Sequence, residues 1–574
     1  MKKSKLLSIL SIIFLLATLN STAQAPNWLW AKSADGNCEA NSVTIDANGN
    51  TYVAGWFNNT LTFGSTTLYD TSNNQEGDMF IVKYDASGNP LWAKSAFGTR
   101  LGGTIDNVPN SIVVDANGNI YVAGYFTGTS ITFGSTTLTN AGGSAIFIVK
   151  YDALGNPLWA KSAGGSGTSD DYANSVSVDK NGNAYVVGSF ESPTITFGST
   201  TLTNSAIADI FIVKYDTSGN PLWAKSAGGN EYDVAYSVTV DANGNTYMAG
   251  YFASTSITFG STTFTNSNNI HGLASTDVFI VKYDPSGNPL WAKNDGVIGT
   301  ATGQNYAKCI AIDLNGNTYV AGFFTSPTIT FGSITLTNTG GYDMFIVKYD
   351  SSGNSLWAKS VGNASYVEAN SVAVDKNGNT YVVGWFNSPT MTIGSTTLTN
   401  TGNRNMFIVE YDASGNPLWT KSAGGTSTYD VANSVTIDSN GNTYVAGSFQ
   451  SSPISFGTTT LTSSSAYDMF IVKLCGSSCT TDIMEHNLET DFSVYPNPTT
   501  GLFNLKMSQF ENVQIKIYNV LGECIYAPTL KGANNSTLQG GGQTIDLSSQ
   551  PNGVYFLQLK TEQGTANKKI VISH

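Results

Sequence analysis

Seven times this chain carries an Asp followed, one residue on, by Asn-Gly-Asn, with the Asp at 46, 115, 179, 241, 313, 375 and 438. Oxygen-bearing side chains at alternate positions are what a calcium loop offers its ion. Here, however, Gly stands fourth rather than sixth, and no Glu follows at the twelfth place to grip an ion with both oxygens. Asn-Gly is also the preferred pair of a two-residue type I′ hairpin turn, and an Asp before it caps the turn backbone. The turn accounts for the same residues without an ion.

Other chemistry has less to stand on. The histidines, His271, His486 and His574, lie far apart, and no G-x-S-x-G elbow is present, so a Ser-His nucleophile is not expected. Asp170, Asp171, Glu231 and Asp233 are the carboxylates best placed for a glycosidase pair. Acidic residues of this kind are more often solvated loop groups. The cysteines are Cys38, Cys309, Cys475, Cys479 and Cys524, an odd number without a framework spacing and without a second pair for zinc. Cys475 and Cys479 (CGSSC) are close enough to bridge or to remain two small unpaired residues. No catalytic, cofactor-binding or metal-ligating residue is therefore assigned.

The elements that would position any site come from repetition. Each Asp-x-Asn-Gly-Asn is followed by "TYVAG" or a variant. Then comes "FIVKYD" or a variant, starting at Phe80, Phe147, Phe211, Phe279, Phe345, Phe407 and Phe470. The Trp of "LWAKS" and its variants stands at 30, 92, 159, 223, 291, 357 and 419. One unit reads as four strands in a meander, with a small Gly-Ser hairpin between the second and third. Strands such as "FIVKY" and "LWAKS" are apolar on both alternating faces, as expected of a sheet covered on both sides. Small antiparallel sheets of this kind, seven in number, predict an all-β, seven-bladed β-propeller over residues 27–474. The repeated Trp and Lys read as groups packing one blade on the next.

The string "NWLWAKSA" (Asn27–Ala34) stands before the first complete unit, while no "LWAKS" follows Leu474. Trp28–Ser33 is therefore expected to supply the fourth strand of the last blade, beside Met469–Leu474, and to shut the ring. Both turns inside a unit are short. The strand two-to-three and blade-to-blade connections vary most, at 69–77, 97–110, 266–276 and 294–308, and they fall on the opposite end. Binding residues are expected on that variable end.

Segments such as Asp115–Gly124 ("D-x-x-G-N-x-Y-V-x-G"), with the "F-I-V-K-Y-D" strands, resemble the bacterial seven-bladed β-propeller repeat family, SBBP. The resemblance covers about residues 27–474. It implies a fold and leaves the activity open.

The two ends of the chain concern its destination. Residues 1–23 read as a secretory signal peptide, with Lys2, Lys3 and Lys5 before an apolar run and Ser21 and Ala23 before the cut. A polar linker, 475–490, leads into 491–574, whose alternating strands and Pro, Asn and Gly turns suit a small Ig-like β-sandwich. That tail resembles the type A C-terminal sorting domain of the type IX secretion system. The matching residues are Tyr495, Pro496, Asn497, Pro498, Gly501, Leu521, Gly522, Gly553, Val554, Tyr555, Lys568, Lys569 and Ile570. The resemblance implies the type IX machinery as partner. It also implies a destination outside a Gram-negative cell, released or attached to surface lipopolysaccharide.

A net charge of −13 with only Arg100 and Arg404 as arginines argues against nucleic acid and acidic membranes. No second long apolar run calls for membrane insertion. The expected function is a secreted or surface-displayed, non-catalytic propeller that binds a glycan or a protein, with no cofactor. Two other readings stand beside it: a polysaccharide-degrading propeller using loop carboxylates, and a structural surface-layer or adhesion component.

Overall fold

The computed structural model describes residues 25–70, 77–99, 107–266, 275–295, 303–363, 365–426, 429–463, 466–476, 492–507, 514–520, 522–526, 543–561 and 564–574. The signal-peptide segment, most of the linker, His271, His486 and Leu521 lie outside them. The chain divides into two compact units, Met1–Ser478 and Cys479–His574. Among the described residues every named element is a strand.

In the first unit one repeat shows how the sequence makes a sheet. Asp171–Val178, Ala184–Phe190, Asp209–Tyr215 and Pro221–Ala227 pair antiparallel in that order. The outermost strand starts at its Pro, where a missing N–H does least harm to the ladder. Between the second and third strands, Thr194–Phe197 and Thr200–Thr203 form a separate small hairpin. Gly198 at its tip has φ 60°, as the first central position of a type II′ turn requires.

The Asp-x-Asn-Gly-Asn turns differ from expectation. Only the Gly takes a positive φ (Gly182, 82°), and its Asn neighbour does not. The Gly182 N–H donates to Asp179 O at 2.9 Å, and the Asp179 N–H to Asn183 O at 3.0 Å. This is a type I turn closed by a left-handed Gly, a three-residue loop rather than the two-residue type I′ form. The Asp decides it. Asp179 Oδ1 accepts the N–H groups of Asn181 and Asn183, and Oδ2 accepts Asn183 Nδ2 and the Tyr185 hydroxyl. Its acceptor capacity is spent on the turn itself.

The same four-stranded arrangement recurs along the unit, and five of its apolar clusters are each shared by two sheets consecutive in sequence. Further contacts join neighbours. Trp159 Nε1 donates to Thr217 O of the following repeat at 3.0 Å, and Trp223 Nε1 to Pro285 O at 3.1 Å. Lys214 Nζ sits 5.0 Å over the Tyr185 ring and reaches the same Pro285 O. The repeated Trp and Lys thus fasten one sheet to the next turn.

The N-terminal strand Trp28–Ser33 pairs antiparallel with Asp468–Leu474, with Trp30 opposite Lys473 and Ser33 opposite Phe470. The resulting sheet holds it beside Thr443–Phe449 and Asp430–Ile437 as a fourth strand. Trp28 stands where five of the other six repeats place Pro and packs edge-on against Phe456.

In the second unit, Phe492–Tyr495, Leu502–Met507 and Gln543–Asp546 make one sheet. Cys524–Tyr526, Gln514–Tyr518, Gly553–Thr561 and Gly564–Ile572 make another. Phe503, Leu505 and Ile545 of the first share a core with Ile515, Ile517, Leu557 and Ile570 of the second, as in a two-layer sandwich.

Candidate functional site

Each first strand of the repeat carries a β-bulge three residues in, between Ala173 and Ser175 in the repeat above. A bulge re-aims the extra side chain. Here the extra residue is usually Asn, whose amide donates to a carbonyl of the following repeat: Asn41 to Pro109, Asn110 to Ala173, Asn174 to Ala235, Asn370 to Ala432. The Ser after it accepts an N–H of the same neighbour, as Ser175 does from Val238 at 3.2 Å. Asn433 donates to Ala40 O at 2.9 Å, and Ser434 accepts from the Val43 N–H at 3.1 Å, so the last first-strand is tied to the first.

The belt is interrupted in one place. Tyr236 and Lys308 occupy the Asn position in two consecutive repeats, and Cys309 replaces the following Ser. Cys309 Sγ turns to Ala321 O instead, and burial pushes its thiol up to about 12. Lys308 Nζ lies 4.5 Å from the Tyr236 ring centre and 5.9 Å from those of Tyr306 and Phe323. Burial among them lowers its pKa, against the opposing pull of Glu368.

Aromatic rings continue from there along the variable end. Tyr251 and Tyr306 meet edge-on at 4.4 Å, Tyr306 and Phe323 lie at 4.9 Å, and Phe323 stacks on Tyr342 at 4.7 Å. Tyr366 meets Tyr342 edge-on at 4.6 Å. Beyond them the Arg404 guanidinium lies 4.1 Å over Trp385 and 5.4 Å from the Tyr429 ring. Burial raises the Glu368 carboxyl, while Lys308, Arg404 and a hydrogen bond from Trp385 draw it back. Glu39 holds the equivalent place in the first repeat, opposite Trp56. Burial alone pushes it up to about 7.

Tyr236, Tyr251, Tyr306, Lys308, Phe323, Glu368 and Trp385 lie on first and second strands, whereas Tyr342, Tyr366, Arg404 and Tyr429 lie just outside the strands, in the connections of the same end. The loops were the expected carriers of function; the side chains that set this end apart come from the strands and from the connections between them. They were legible: aligning the copies on "ANSV" shows "AYSV" at Ala235–Val238 and "AKCI" at Ala307–Ile310.

The candidate carboxylates have other duties. Asp171 accepts from the Gly165, Glu191 and Ser192 N–H groups and from Ser192 Oγ at 2.7 Å. Asp233 does the same with Gly229, Ala253 and Ser254, and its burial pushes it up to about 7. Both pin the connections before and after their strands. Asp170 bonds the Tyr172 hydroxyl, and the Glu231 N–H donates to Ser254 Oγ. Cys475 is disulfide-bonded; Cys479 lies outside the described residues. Cys38, Cys309 and Cys524 are free.

In the sandwich, Asn497 grips the last strand with both ends of its amide, donating to Lys569 O at 2.7 Å and accepting the Val571 N–H at 2.9 Å. Pro496 and Pro498 flank it, and Thr499 continues the contact through the Val571 carbonyl. Gly501 (φ 101°) leaves no room for a Cβ, which would meet Ser548 Cα at 2.4 Å. Gly522 closes a turn onto Asn519 O, Gly553 opens a strand opposite Ile572, and the Tyr555 hydroxyl donates to Pro551 O. Most of the motif thus builds the fold. Lys568 and Lys569 are exposed side by side on the last strand, and Tyr495 is half exposed.

Segments 158–189, 356–389 and 418–448 match the β-propeller repeat model SBBP, and residues 493–573 match the secretion system C-terminal sorting domain. The chain thus carries β-propeller repeats at these three segments. It also carries a type IX secretion sorting domain, and that domain implies interaction with the secretion machinery and export to the surface or beyond.

An uncharacterized WD repeat-containing protein of Acanthamoeba polyphaga mimivirus is 27% identical over 542 residues, covering 78% of this chain and 38% of its own. The regulatory protein FlaEY of Caulobacter vibrioides is 26% identical over 181 residues, covering 31% and 18%. The chain therefore spans well under half the length of either. Among solved structures, Sqt1 from Chaetomium thermophilum aligns at TM-score 0.37 and 8% identity, covering 79% of this chain and 99% of that one. A gluconolactonase from Xanthomonas campestris aligns at 0.27 and 12%, covering 57% and 82%. Likenesses this distant carry no argument.

Proposed function

We propose that the first unit is a closed, seven-bladed ring, displayed or released outside a Gram-negative cell, that binds a glycan on its aromatic and charged end without catalysis. Closure is supported by the contacts between the last sheet and the first. Trp30 Nε1 and Lys473 Nζ both reach Ala86 O, as their equivalents reach the next turn elsewhere. Ala446, Met469 and Ile471 share a core with Val53, Phe57 and Phe80.

The observation that carries the binding role is the interruption of the Asn-Ser belt by Tyr236, Lys308 and Cys309 beneath a path of rings. The two repeats keep their packing Lys and Trp contacts while changing at this position. Aromatic faces stack on the apolar faces of sugars, while charged groups at their edges take hydroxyls. A protein surface is the second ligand class such a patch suits. The engagement of Asp171 and Asp233 in loop anchoring favours binding over hydrolysis.

The test is a glycan array probed with the exported chain and with Tyr251→Ala and Tyr306→Ala variants. Array binding weakened by both variants, with no reducing ends released from the bound glycan, is the expected result. Turnover of that glycan would replace this reading with the polysaccharide-degrading one. Self-assembly of the purified chain without any ligand would favour a structural surface component.

A further inference from the structure

We propose that the interrupted belt is a subsite for a carboxylated sugar, its ring against the aromatic wall around Tyr306 and its carboxylate on the Lys308 ammonium. This deepens the glycan reading and rests on it.

The argument starts from two cations. Among the described residues neither Lys308 nor Arg404 has a hydrogen-bond acceptor, and the one ion pair is Lys83 with Asp46 elsewhere. Lys308 Nζ lies over the Tyr236 ring and the Arg404 guanidinium carbon over Trp385. Glu368 lies near enough to feel both charges but pairs closely with neither. An ammonium sunk among aromatic rings loses hydration, and rings return only part of that cost. Five of the other six repeats place a neutral Asn here and satisfy it with a neighbour's carbonyl. Replacing Asn by a cation without an acceptor weakens the belt and leaves the ammonium's three donors to be satisfied.

The chemistry that satisfies those donors is an anion, in a protein whose overall charge is −13 and repels anions elsewhere. The rings around it select an anion borne on a flat, partly apolar body, and a uronic acid has both parts. Its carboxylate accepts from Lys308, and its C–H face lies on the aromatic wall.

The experiment is calorimetric titration of the full exported chain with an oligo-uronate, its methyl ester and a neutral oligosaccharide of equal length. The uronate is expected to bind roughly tenfold or more tighter than the ester, as one charge-assisted hydrogen bond implies. Lys308→Met should remove that preference, so that uronate and ester bind alike. Glu368→Gln removes a competing negative charge, so uronate binding should tighten a fewfold, a gain that misfolding cannot produce. Equal binding of uronate and ester, or a loss in Glu368→Gln, overturns the carboxylate subsite and leaves the glycan reading standing. Binding of none of the three sugars, alongside a blank array, overturns both.

Discussion

At the scale of single residues, the repeat is informative where it fails. Cys309 stands where six copies keep Ser, and its sulfur is a weak acceptor compared with a hydroxyl. Cys309→Ser should restore one belt hydrogen bond and stabilise the fold by about 1 kcal/mol, read as a rise in Tm. A fall would mean the sulfur's packing outweighs the bond. Glu410 is a second departure: it replaces the strand-three Lys and accepts from the Tyr381 hydroxyl and from Trp419 Nε1.

Glu39 makes a pH prediction. Its folded pKa is raised to about 7 from an ordinary 4.5, so the folded state holds the proton more tightly than the unfolded chain. Below the lower value both states are protonated and Glu39 is neutral to stability. As pH rises towards 7 the unfolded chain ionises first, and the folded state loses stability. Glu39→Gln should leave Tm unchanged at pH 4 and raise it at pH 8. A constant difference at both pH values would show that Glu39 is not held protonated.

At the scale of elements, the N-terminal strand bears most. Trp28–Ser33 covers an edge that would otherwise expose the Asp468–Leu474 ladder, and it brings two packed Trp rings. Deleting residues 27–34 should lower Tm by roughly 10 °C or more, since burying a Trp is worth about 3 kcal/mol or more. A synthetic peptide of those residues should recover part of the loss. An unchanged Tm would mean that the last sheet stands on three strands and the ring does not depend on closure. The turns teach a different point at this scale. Asn-Gly promised a type I′ hairpin, but an Asp whose carboxylate takes two backbone N–H groups draws the loop into a type I turn with one left-handed Gly.

At the scale of the whole molecule, the two units divide the work. Residues 493–573 address the chain and the repeats carry what is addressed. A chain ending after Leu474 should remain inside the cell envelope, and residues 479–574 fused to a reporter should carry it outside, both read by fractionating cells and medium. Retention of the fusion would show that the tail is not sufficient for export.

The sequence by itself determined the repeat, its four-strand unit, the misplaced strand at Trp28–Ser33 and the sorting tail. Each of these rests on local pattern: strand alternation, turn residues and short motifs at fixed offsets. Only the tertiary structure decided that Asp171 and Asp233 anchor loops, and that Tyr236, Lys308, Glu368, Arg404 and Trp385 gather at one end. Those residues are far apart in the chain and come together because successive sheets stack, so that one bulge position per repeat faces the next. Periodicity names the position, but stacking alone makes it a neighbour.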